Sequence, residues 1–141
     1  MYKCKYFKIK ELVNPELLKT IPENTLWSMF DDRLLKCADL IREKYGVCTV
    51  NSGSWVDCGF RAIDSKNGAK WSAHKFGRAL DLHIRSIELQ YQGKKSAKTA
   101  QYNRVREQLL AEDRFDCLNF ENDISWLHID TYNRANRVFL P

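Results

Sequence analysis

Two short segments of this chain alternate apolar residues with residues that can bind a metal or carry a proton, and no other feature restricts the fold as much. In Ala79–Ile84, strand geometry puts Leu80, Leu82 and Ile84 on one side and Asp81 and His83 on the other. In residues 126–130, Leu127 and Ile129 share a side, which leaves Trp126, His128 and Asp130 opposite. If the two strands pair antiparallel in one sheet, Asp81 and His128 converge on the polar side. His74 then reaches them from the turn before the first strand. The pattern predicts a sheet with one face for a core and one face rich in ligands.

The rest of the chain reads mostly as helix and loop. Residues 7–12 alternate weakly. Asn14 can cap a short helix that has Pro15 at its first position. A longer helix is expected over residues 26–45, with Phe30, Leu34, Cys37, Ala38 and Ile41 at helical spacing and Gly46 as its stop. Residues 47–51 read as a strand and residues 52–70 as an irregular loop punctuated by Gly53, Gly59 and Gly68. Loops of that length are often functional. A further helix is expected over residues 99–112, where Tyr102, Val105 and Leu109 share a face. The polar stretch 89–98 before it reads as a mobile surface excursion. These elements make an α+β fold, with a small antiparallel sheet carrying the ligands and helices packed on its other face.

The 141 residues suffice for one domain with a real core, and no repeat, low-complexity segment or linker divides them. No stretch approaches the ~20 consecutive apolar residues of a membrane span. The start, Met1 to Lys8, is broken by charges before an apolar run develops, so no secretory signal is expected and synthesis is placed in a cytoplasm. Cys4, Cys37, Cys48, Cys58 and Cys117 are odd in number and unpaired in spacing, which favours reduced thiols over disulfides or a cysteine metal site. The net charge of +5 favours anionic partners, either nucleic acid or an acidic cell-wall polymer. The nucleic-acid reading, through Lys94, Lys95, Lys98, Arg104 and Arg106, has no aromatic or helix-turn-helix pattern behind it, so no nucleic-acid partner is expected.

On the residues alone, two readings of His74, Asp81 and His128 stand. Two imidazoles and one carboxylate leave a fourth tetrahedral position for water, which is what a hydrolytic zinc needs. Alternatively, both histidines are ordinary hydrogen-bonded residues and Asp81 is a turn or cap residue. His83 is a rival ligand because it shares the strand face of Asp81, and Asp130 is a candidate for orienting an imidazole N–H.

Ser72, His74, Gly77, Ala79 and Asp81 fill every fixed place of the pattern Ser-x-His-x-x-Gly-x-Ala-x-Asp. Downstream, Glu121 precedes Trp126-Leu127-His128, and the chain opens with Phe7-Lys8-Ile9-Lys10-Glu11-Leu12. In these features the sequence resembles the zinc D-alanyl-D-alanine peptidases of the M15 type, which share a fold with the hedgehog signalling domain. The likeness is to their small bacteriophage and prophage members and spans nearly the whole chain. It implies zinc on His74, Asp81 and His128, with Glu121 as general base and Asp123 as its rival. Ser72 and Trp126 would line the substrate cleft. Many members carry a Ser-Gly-x-Arg turn, but here Ser52-Gly53-Ser54 leads to Trp55. Gly59-Phe60-Arg61 is similar to the phage form, so Arg61 would supply that charge from farther along the loop.

The resemblance implies a peptidase acting on peptidoglycan stem peptides, reaching the wall after lysis, through a holin-like partner or in a phage particle, and a monomer is expected. A non-catalytic, zinc-stabilised structural or binding module of the same fold is the alternative. No membrane insertion is implied.

Overall fold

The computed structural model describes residues 1–141. In chain order its elements are α1 (Ile9–Leu12), α2 (Pro15–Thr20), α3 (Glu23–Ser28), α4 (Asp32–Tyr45), β1 (Cys48–Thr49), β2 (Ala79–Ile84), α5 (Arg85–Gln90), α6 (Lys95–Leu110), β3 (Asn119–Glu121), β4 (Leu127–Asp130) and β5 (Val138–Phe139). A 3-10 turn, Ala73–Phe76, precedes β2. The result is one small α+β domain in which a five-stranded sheet is ordered β1-β2-β4-β3-β5.

β2 and β4 pair antiparallel, as their alternation predicts, with Leu80 opposite Ile129 and Leu82 opposite Leu127. These four residues and Ile84 are fully buried and join Leu34, Leu35 and Ile41 of α4 and Tyr102, Val105 and Leu109 of α6 in one apolar core. Full burial of each such aliphatic side chain contributes about 1.5–3 kcal/mol, so the apolar side of the strand pair drives the helices onto it.

The sheet is mixed rather than antiparallel throughout. Both edges of β4 are occupied, by β2 and β3, so the chain that turns back after β4 pairs on the open edge of β3. It then runs parallel to β3, placing Phe120 opposite Val138 and Glu121 opposite Phe139.

The expected helix over 26–45 is two helices, broken at residues 29–31. Asp31 starts the second: its side chain accepts from the Arg33 amide at 3.0 Å, the usual way an aspartate caps a helix. Its own N–H donates to the Gly77 carbonyl at 3.0 Å, and its carboxylate accepts from the Thr131 hydroxyl at 2.9 Å. The break therefore seats the Ser72–Asp81 motif and the end of β4. Gly77 adopts the left-handed conformation (φ 64°), and a Cβ there would collide with the Met29 carbonyl. Gly46 ends α4, also at positive φ (85°), as expected.

Three other expectations change. Residues 7–12 hold a short helix, α1. The strand at 47–51 shrinks to Cys48–Thr49, because the Asn51 amide leaves the sheet to bond the Glu11 carbonyl at 2.9 Å. The stretch 89–98 is no loose excursion: α5 ends in it and α6 begins at Lys95. Glu88 ties the two helices together by accepting from Lys98 at 2.7 Å and from the Tyr102 hydroxyl at 2.8 Å. The loop 52–70 is irregular, as expected, and α2 carries the Asn14 cap, whose side chain accepts from the Glu16 amide at 2.9 Å.

No helix is long and apolar enough to cross a membrane. All five cysteines are free thiols. Of the basic residues considered for nucleic acid, Arg106 points inward and is buried, and Lys98 is paired with Glu88.

Candidate metal centre

The β2–β4 register sets Asp81 directly opposite His128. Opposed side chains on one face of an antiparallel pair lie close enough to touch, and here His128 Nδ1 is 2.8 Å from Asp81 Oδ1. His74 enters from the 3-10 turn, with Nε2 3.4 Å from Asp81 Oδ2. All three residues are buried, and one ligand atom from each lies within 4.8 Å of the others. The trio is close enough to bind a metal ion. His83 is not part of it: its ring stacks on Trp55, with centroids 4.1 Å apart.

The partners of the two imidazoles decide which nitrogen is available. His74 Nδ1 lies 2.9 Å from the Gly59 carbonyl, which can only accept, so Nδ1 carries a proton and Nε2 is the nitrogen turned to Asp81. His128 Nε2 lies 3.1 Å from Asp130 Oδ2. Burial pushes the Asp130 carboxyl up, but hydrogen bonds from His128, Arg134 and Asn119 hold it down at about 2, so it is an anion and His128 Nε2–H donates to it. Nδ1 of His128 is thereby left facing Asp81. Both rings are held by an outer hydrogen bond with the other nitrogen toward Asp81, the orientation that such bonds usually give metal-binding histidines.

Asp130 is itself completely enclosed. Besides His128 it accepts from Arg134 (2.9 Å to Nε, 2.8 Å to a terminal nitrogen), from Asn119 at 2.7 Å and from the Tyr132 amide at 3.0 Å. Its suspected role in orienting an imidazole has a geometric basis. The sequence reading did not include Asn119 and Arg134; an arginine four residues after His-x-Asp was the available signal for the latter.

The same charges set the protonation of the trio. For Asp81, burial raises the carboxyl, but the attraction of His74 and hydrogen bonds from both histidines outweigh it and hold it well below the ordinary carboxylate range. For His128, burial lowers the imidazole, but hydrogen bonds to Asp130 and Asp81 raise it to about 9. Without a metal, a proton occupies the place a cation would take, so metal and proton compete for His128 Nδ1.

A cleft of about 390 Å³ opens over the trio and is walled in part by Arg61, Ser72, Glu121 and Trp126. Glu121 ends β3 with its carboxylate 4.0 Å from His128 Nδ1. Asp123, its rival, sits in a turn at positive φ (59°) and accepts from the Asn103 side-chain amide at 2.8 Å, away from the trio. Arg61 lies 3.6 Å from Asp81 Oδ2, braced by the carbonyls of Asp57 (2.5 Å) and Asn67 (3.5 Å). Ser72 stands at the N-cap position of the 3-10 turn. Trp126 has its carbonyl held by the buried Arg106, while its indole N–H has no partner.

Exposed Trp71 and Phe76 stack near the cleft (6.3 Å between centroids), and Phe76 stacks in turn on Tyr132 (6.3 Å). This aromatic rim was not anticipated, and only the fold brings its three rings together. No family model, curated protein or solved structure matches the chain.

Proposed function

We propose that this chain is a zinc peptidase of the M15 type, with the hedgehog/DD-peptidase-like fold, that hydrolyses peptide bonds in peptidoglycan stem peptides. The observation that carries the reading is the pair of tied-off imidazoles. His74 and His128 each spend one nitrogen on an acceptor and turn the other to Asp81. Histidines that serve only packing have no need of this convergence. Ligands about 2.0–2.2 Å from a tetrahedral zinc lie roughly 3.3 Å from one another. The 3.4 Å contact of His74 with Asp81 suits that spacing, whereas the 2.8 Å contact of His128 is a hydrogen bond that would open to admit the ion. The all N/O donor set, with a cleft lying over it, suits a hydrolytic site.

Zinc, when bound, supplies Lewis acidity that makes water more acidic and polarises a carbonyl. The chain supplies the rest. The Glu121 carboxylate, at the cleft edge of the trio, takes a proton from the attacking water and hands it to the departing amine. The Arg61 guanidinium, held in place by two loop carbonyls, faces the oxygen on which negative charge develops. Ser72, Trp126 and the aromatic rim give the peptide a surface to lie on. A net charge of +5 suits an anionic wall. Action at the wall after lysis, or delivery in a phage particle, fits this substrate.

The test is release of new amino groups from purified peptidoglycan by zinc-loaded protein, with a chelated control that releases none. In the same assay Glu121→Gln lowers the rate by roughly 100-fold or more with zinc content and fold retained, whereas Asp123→Asn changes it little. Both variants lose one negative charge from the same segment, so an equal fall in both means that Glu121 is not the base. If the wild type cleaves no peptidoglycan, the non-catalytic zinc module is the correct reading.

A further inference from the structure

Cys37 and Cys117 are 80 residues apart in the chain, yet their sulfurs lie 3.6 Å from each other. Cys37 is buried on α4, and Cys117 is partly exposed, two residues before β3. Nothing in the peptidase reading uses either residue. Both are held in place. Cys37 Sγ lies 3.9 Å from the Arg114 carbonyl, and Arg137 donates to the carbonyls of Phe115 at 2.9 Å and Leu118 at 3.0 Å. The segment that carries Cys117 is thus pinned on both sides of the thiol.

The other three thiols have different surroundings. Cys4 and Cys48 lie against the carbonyls of Leu35 (3.7 Å) and Gly46 (3.4 Å), and Cys58 is 4.0 Å from the His83 ring. Burial pushes Cys48 up to about 12 and Cys58 up to about 11, and holds Cys4 far above the ordinary thiol range. Cys117 moves the other way. The hydrogen bond from Cys37 lowers its thiol, against partial burial, and the Arg33 guanidinium adds to the lowering. Arg33 is itself shared with the Asp31 carboxylate, 2.7 Å away. A thiol that ionises readily and reaches solvent is the attacking group in disulfide exchange, and an enclosed thiol in contact with it is placed to resolve the product.

We propose that Cys37 and Cys117 form an oxidative modification site, which a low-molecular-weight disulfide converts into one intramolecular disulfide. The Cys117 thiolate attacks one sulfur of the small disulfide, and the first small thiolate leaves. Cys37 then loses its proton and attacks the Cys117 sulfur, which expels the second small thiolate. Both protein protons end on the two released thiols, and the small disulfide is the oxidant. Side-chain rotation brings the sulfurs from contact to the bonded distance of about 2.05 Å. The bond joins two segments that frame the trio. α4 starts at Asp31, which holds Gly77, and Asn119, two residues after Cys117, donates to Asp130 at 2.7 Å. The pairing rests on this geometry and not on the peptidase reading. On that reading, the bond closes when the protein leaves a reducing cytoplasm for the wall.

The probe is oxidised glutathione, incubated with the folded full-length protein beside a control in reduced glutathione. Intact mass shows the loss of two hydrogens without a glutathione adduct, and a non-reducing peptide map links the Cys37 and Cys117 peptides. Cys4, Cys48 and Cys58 remain open to alkylation after unfolding. Cys117→Ser abolishes the linkage, whereas Cys37→Ala leaves glutathione on Cys117, because no second thiol resolves it. The wild-type mass and map decide the pairing even if neither variant folds. Five free thiols, a lasting adduct on the wild type, or a different pairing overturns the proposal. With equal zinc in both forms, the thermal midpoint of the oxidised protein stands above that of the reduced protein by about 5–15 °C. An unchanged midpoint overturns the bracing of the two segments. A linked protein that cleaves no peptidoglycan keeps the pairing and loses the peptidase reading, and an active protein that never links has the opposite meaning.

Discussion

The strand pair β2–β4 and the loop 52–70 both deliver side chains to the cleft, but by different means. On the strands, backbone register does the placing: once Leu80 faces Ile129 in the core, Asp81 and His128 must meet on the opposite face. In the loop no ladder repeats, so each position is fixed by single tethers. The Phe60 amide bonds the Leu12 carbonyl at 2.7 Å, the Arg61 amide bonds the His74 carbonyl at 3.1 Å, and the Gly59 carbonyl receives His74 Nδ1. Gly59 is required there, since a Cβ would strike the Leu12 carbonyl. Beyond Arg61 the tethers thin out, and Ile63 and Trp71 stand exposed. The lesson is that the candidate ligands on the strands rest on a repeating ladder, whereas the arginine rests on individual hydrogen bonds of the loop.

The sharpest way to break this comparison is to replace a register-placed ligand and its strand-face neighbour separately. His128→Ala lowers zinc affinity by at least about 100-fold, measured by competition with a chromogenic chelator, whereas His83→Ala leaves it within a few-fold. Equal losses mean that His83 is a ligand and that the geometry of the trio has been misread.

The loop side predicts a smaller and different effect. Arg61→Lys keeps the charge but loses the planar fork that the Asp57 and Asn67 carbonyls hold. Hydrolysis falls by roughly 10- to 100-fold while zinc affinity is retained, read as kcat against metal content. A variant that loses zinc in parallel with rate places Arg61 in the structural half.

The smallest effect concerns pH and the metal-free protein. An unfolded histidine titrates near about 6.5, whereas folded His128 holds its proton up to about 9. The folded state binds that proton more tightly, so the stabilisation is complete below about 6.5 and disappears as pH rises through about 9. In chelator, the thermal midpoint therefore falls across that window. With zinc in place of the proton the fall is absent, and calorimetry of both forms, with chelated His128→Asn as control, reads the difference.

The sequence by itself determined the two alternating segments, their apolar and ligand-bearing faces, and the Asn14 and Gly46 helix boundaries; the convergence of His74, Asp81 and His128 depended on an antiparallel pairing that the tertiary structure supplies. The segments, faces and boundaries rest on period-two alternation and local backbone preferences, which are written in neighbouring residues. The break at residues 29–31 was not legible, because helical spacing runs through it. What decides the break is a bond from Asp31 to Gly77, far along the chain, and the space that Gly77 needs beside Met29. The order around residues 89–98 was hidden for the same reason: a polar stretch looks solvated until Glu88 finds Lys98 and Tyr102. Glu121 and Asp123 were rivals in sequence, and only the fold sends one to the cleft and the other into a turn against Asn103. Which side chains alternate is a property of the chain. Which acceptor each donor meets is a property of the packed molecule, because it depends on distances that local sequence does not encode.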